Sequence, residues 1–120
     1  MIHALAVVEK STSTATERSA MKYNKLVRDK IIERIEAKGE KAVFHIADEV
    51  EYWAKLKEKL REEVEEFLEA ESIEELADIT EVLGAVMAHK GFTKEALAIE
   101  QQAKAEERGK FEKRIILDES

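Results

Sequence analysis

From Asn24 onward, apolar residues recur at three-to-four spacing, with Leu26, Val27, Ile31, Ile32 and Ile35 keeping step until Lys38 and Gly39. That period predicts a first helix over residues 24–38, closed by a glycine past its last turn. Residues 42–47, which include Val43, Phe44 and Ile46, form too short a run for a helix and predict a strand or extended connector. Asp48 offers an N-cap, and Glu51 completes a capping box ahead of Trp53, Leu56, Leu60, Val64 and Phe67. A second helix is expected to about Glu69. Ser72 with Glu75 repeats the signature and opens a third helix, with Ile73, Leu76, Ile79, Leu83, Val86 and Met87 on one side and a stop near Lys90 and Gly91. Thr93 can cap a fourth helix from about Lys94 to Glu107, ended by Arg108 and Gly109. The tail 111–117 carries Phe111, Ile115, Ile116 and Leu117, a β-branched and aromatic mix that favours a short strand, with 42–47 as its natural partner. The expectation is an all-α bundle of about four helices with a minor strand pair.

Residues 1–20 stand apart: a short apolar start, then the Ser/Thr-rich run STSTAT, then a second methionine at Met21. They read as an N-terminal extension, in which 4–8 could add a strand, before a domain over 21–120. The length of 120 residues suits one domain, and an amphipathic helical domain this small often completes its burial against a copy of itself. A homo-oligomer, dimer or tetramer, is therefore expected.

A net charge of −7 opposes binding to a nucleic-acid polymer, where clustered cations supply most of the affinity. The absence of Cys excludes disulfides and thiolate metal sites, and fits a reducing cytoplasm. No apolar run approaches the roughly 20 residues of a membrane span. The expected partner is then a small phosphate ligand, bridged to an acidic protein by metal.

The acids supply such a bridge. Glu63 and Glu66 lie three apart on the second helix, as do Glu75 and Asp78 on the third, so each pair shares a helix face. If residues 70–72 connect antiparallel helices tightly, Glu66 falls level with Glu75, and Glu63 with Asp78. Around the third helix Glu75 lies within the arc of Ile79, Val82 and Val86, while Glu63 borders the Leu56, Leu60 and Phe67 stripe and Glu62 and Glu65 point away. A carboxylate in an apolar arc needs a cation or hydrogen bonds to offset its desolvation. Oxygen ligands without Cys or His select a hard cation, Mg²⁺ foremost with Mn²⁺ as a substitute. The competing reading is a solvated acidic face, which any Glu-rich helix presents.

Lys25, Arg28 and Lys30 open the first helix. Lys25 and Arg28 share a face that could meet phosphate oxygens, the arginine bidentately. Alternatively they form a solvated helix end paired with Asp29 and Glu33. His45 and His89 are isolated and read as structural or surface residues. Trp53 and Phe67 read as core, with one aromatic against a nucleobase as the alternative.

The strings YNKLVRDKI, LREEVEEF, EELADITEV and EERGKFEKRIIL together resemble the MazG-like, all-α nucleoside triphosphate pyrophosphohydrolases, in particular their small stand-alone house-cleaning branch. The likeness covers about residues 22–117. Its core is EExxE followed by ExxD, here Glu62, Glu63, Glu66 and then Glu75 and Asp78. The resemblance implies an oligomeric all-α fold and Mg²⁺ held by Glu63, Glu66, Glu75 and Asp78. It further implies cleavage between the α and β phosphates of a nucleotide, with Glu62, Glu63 and Glu66 as the catalytic acids. Lys25, Arg28 and Lys30 would meet the triphosphate, with Arg108 and Lys110 as further candidates. Two features depart from the pattern: eight residues separate Glu66 from Glu75, fewer than in many members, and Ile32 stands where proline is common. The alternatives are a phosphoribosyl-ATP pyrophosphohydrolase of the same fold, or a non-catalytic helical module that binds a protein partner.

Overall fold

The computed structural model of the protein describes residues 23–120. They contain four helices: α1 Ile31–Ala37, α2 Glu49–Ala70, α3 Ile73–Lys90 and α4 Lys94–Arg108. The extension expected over 1–20 lies outside the described residues. Two compact units divide the chain, the first reaching Val86 and the second running Met87–Ser120.

In the first unit, Ile31 and Ile35 are buried one turn apart on α1, and Val27 and Ala42 pack against them from either side in sequence. Leu56 on α2 and Val82 on α3 are also buried. Asp48 caps α2 as its sequence predicts, its side chain accepting from the Glu51 N–H at 2.8 Å. The reciprocal half of the capping box does not form. The Glu51 carboxylate meets His45 Nε2 instead, at 2.9 Å, so His45 is not isolated but tied to the start of α2. At the other end Glu71 takes a left-handed conformation (φ 52°) and its N–H donates to Phe67 O, which turns the chain into α3 within two residues.

In the second unit, Thr93 caps α4 by accepting from the Ala96 N–H at 3.0 Å, and Gly109 ends it at φ 85°. No residue of α4 is buried, and Leu97 and Ile99 are exposed.

Two expectations fail. The first helix begins at Ile31 rather than Asn24. Asn24 sits at φ 46°, a left-handed conformation that asparagine tolerates and a helix does not, and residues 25–28 follow as non-helical chain before a turn at 29–30. Neither 42–47 nor 111–117 is a strand, and the described residues contain none. A strand exists only as one side of a hydrogen-bonded ladder, so β-branched composition without a paired neighbour leaves irregular chain. Arg114, at φ 58°, also breaks the tail within the expected strand.

Candidate metal centre

Positions 62, 63 and 66 fall on one side of α2, and each offers a carboxylate oxygen to a group whose members lie within 4.8 Å of one another. Glu63 is the innermost, 1% exposed, in a helix that buries Leu56 one turn and three residues earlier on the same side. Lys59, itself 5% exposed, accounts for much of this tolerance. Its Nζ donates to Glu62 Oε1 at 3.2 Å and stands 3.5 Å from Glu63 Oε1. Two of the three carboxylates, Glu62 and Glu63, thus share one buried ammonium.

Glu62 does not point away from the cluster, as its helical angle had suggested. It is half-buried, and its Oε1 receives Lys59 and also Lys25 Nζ at 3.3 Å. Burial pushes its carboxyl up, but Lys59 and then Lys25 outweigh that effect and hold it below the ordinary value of 4.5. Glu65 is exposed, as expected. Glu63 Oε2 is fully buried with no hydrogen-bond partner. An ionised oxygen in that state is costly, and a cation is the usual remedy. The donor set is all oxygen, which suits a hard divalent ion such as Mg²⁺ or Mn²⁺.

On α3, Glu75 and Asp78 are half-buried and lie outside the three-carboxylate group. Ser72 Oγ donates to Glu75 Oε1, so the Ser72 signature holds the acid by its side chain. Asp78 Oδ1 accepts from Arg28 Nη2 at 2.8 Å. Lys25 and Arg28, three residues apart on one segment, thus tie that segment to Glu62 on α2 and to Asp78 on α3.

Lys30 is exposed, and its carbonyl opens α1 by accepting from the Arg34 N–H at 3.1 Å. Arg108 and Lys110 belong to the second unit, both exposed, Arg108 within 4.0 Å of Glu107. Lys110 lines a shallow open groove there with Gln101, Gln102 and Phe111, a groove that includes none of the five acids. His89 is half-buried on α3. Trp53 and Phe67 are half-buried rather than fully buried, and Lys57 Nζ lies 5.2 Å from the Trp53 ring centroid. Lys59 was not anticipated. Its signal was present, since it precedes Glu62 by three and Glu63 by four on the same face as Leu56.

Comparison with known protein families, curated proteins and solved structures finds no match to this chain.

Proposed function

We propose that this chain is a Mg²⁺-dependent pyrophosphohydrolase that cleaves a nucleoside triphosphate, canonical or modified, to the monophosphate and pyrophosphate. The observation that carries this reading is Glu63: a fully buried carboxylate with one orphaned oxygen, held within 4.8 Å of Glu62 and Glu66. A solvated acidic face, the competing reading, has no reason to bury its central member. The EExxE and ExxD resemblance supplies the reaction class, and the flanking cations supply groups for a polyphosphate.

Glu63, Glu66, Glu75 and Asp78 would hold the ion. When bound, Mg²⁺ supplies neutralisation of the phosphate charge and a more acidic water for attack on the α-phosphorus. Glu62 lies beside Glu63 and Glu66 and keeps Lys59 as a partner, which makes it a weak base but a constant acceptor, suited as a further oxygen for the ion or for orienting that water. Lys25 and Arg28, on the segment before α1, can donate to phosphate oxygens, the arginine through two parallel bonds. Lys59 stays with Glu62 and Glu63 and keeps the cluster from repelling itself. Assembly as a homo-oligomer belongs to the same proposal.

The test is direct. Purified protein with Mg²⁺, screened against canonical and modified nucleoside triphosphates, should release pyrophosphate from at least one. Glu75→Gln should abolish release while leaving the helical spectrum unchanged. Full turnover by that variant would remove Glu75 from the site, and no release from any nucleotide would favour a non-catalytic module.

A further inference from the structure

We infer that residues 25–28 act as a cationic strap that competes with a divalent cation for Glu62 and Asp78, and that hands Lys25 and Arg28 to the phosphates once the cation prevails. This rests on reading the cluster as a metal centre. The strap reaches both helices: Lys25 Nζ donates to Glu62 Oε1 at 3.3 Å, and Arg28 Nη2 to Asp78 Oδ1 at 2.8 Å. A helical start would have set both cations on one face a turn apart. The left-handed Asn24 and the non-helical chain after it instead let each meet an acid on a different helix.

Between the two cations, Val27 packs against Ile31 and Ile35, so the backbone is anchored in the small core of the first unit. The charged side chains are looser, at 27% exposed for Lys25 and 42% for Arg28. Ion pairs this accessible to water hold weakly and are readily exchanged. A divalent ion on the same carboxylates outcompetes a single ammonium or guanidinium for their charge and repels both cations outward. A polyphosphate on that ion then presents the anions that Lys25 and Arg28 have lost. Lys59 takes no part in the exchange, because at 5% exposure it has no route to a ligand.

Two consequences are linked. The strap opposes cation binding when no phosphate is present, and favours it when phosphate is bound. Cation and polyphosphate must then raise each other's affinity by the same factor.

Mn²⁺ titration of the full chain, followed by electron paramagnetic resonance with and without inorganic tripolyphosphate, separates these effects. Lys25→Gln with Arg28→Gln should bind Mn²⁺ alone about three- to tenfold more tightly than wild type, the range expected when two partly exposed ion pairs stop competing. With Mn²⁺ present the same variant should bind tripolyphosphate roughly tenfold more weakly. Arg34→Gln, an equal loss of charge at an exposed site on α1, should shift either affinity less than about twofold. Arg28→Gln alone, at the more exposed position, should show the same two opposed changes at about half the size on a logarithmic scale, which covers the case in which the double variant misfolds. A strap variant that folds and binds Mn²⁺ no better than wild type overturns the strap and leaves the metal centre standing. A wild-type protein that binds no Mn²⁺ overturns the metal centre itself.

Discussion

Glu63 and Lys59 are charged residues at depths where a helix of this kind normally places leucine, and the ammonium, 3.5 Å from the carboxylate, offsets part of the cost of burying it. Lys59→Met should therefore destabilise the fold by about 3–5 kcal/mol in denaturant unfolding, because it strands a buried carboxylate. Adding Mg²⁺ should restore part of that loss by mass action on the folded state. A Lys59→Met protein as stable as wild type would show that Glu63 does not depend on its ammonium. Glu62 gives a pH signature of known sign. Its carboxyl lies below the ordinary 4.5 in the folded protein, so the stability it contributes is present above that value and is lost as pH falls through the lowered one. Acid titration of unfolding should show this loss beginning near pH 4.5 and deepening below it, and Glu62→Gln should flatten that part of the curve. A loss equally steep in the variant would assign it to other acids. At this scale the sequence was only partly legible. Helical angle set Glu63 at the border of the Leu56, Leu60 and Phe67 stripe but not at its depth, and Lys59, though on that face, is four residues ahead of a Glu, which is ordinarily a surface pair.

Among elements, the helices were legible where their ends carry their own chemistry. Asp48, Thr93 and the glycines at 39, 91 and 109 mark boundaries because capping depends on a few adjacent residues. Asp48→Ala should accordingly cost about 1 kcal/mol. Glu71→Gly should stabilise by several tenths to 1 kcal/mol, since a residue with a Cβ is disfavoured at φ 52°. Thermal unfolding checks both, and a Glu71→Gly protein that melts lower would mean that the left-handed turn carries no strain. The start of α1 was misread because the apolar period of Leu26 and Val27 runs on into chain that is not helical. There Val27 packs on Ile31 and Ile35, and Lys25 and Arg28 form ion pairs, all from irregular chain, which a period cannot distinguish from helix. The strands at 42–47 and 111–117 were misread for a different reason: strand formation is decided by a partner elsewhere in the molecule, and local composition is silent on that.

At the scale of the whole molecule, the described residues bury few apolar side chains outright and leave many large ones in water, including Leu68, Ile73, Leu97, Ile99 and the tail residues Ile115, Ile116 and Leu117. Burying such side chains against a second copy is one way for a small helical domain to complete its core. Sedimentation equilibrium at micromolar concentration should report a dimer or tetramer, and a monomer would remove assembly from the proposal. No helix among the described residues is long and apolar enough to cross a membrane. The most direct test remains pyrophosphate release. With Mg²⁺ and a responsive nucleoside triphosphate, wild-type protein should turn over. Glu63→Gln, which keeps the shape of the side chain and removes its charge, should lose at least about a hundredfold in rate with its helical content intact. A Glu63→Gln protein that turns over at the wild-type rate would contradict the assignment of the buried carboxylate to a metal centre.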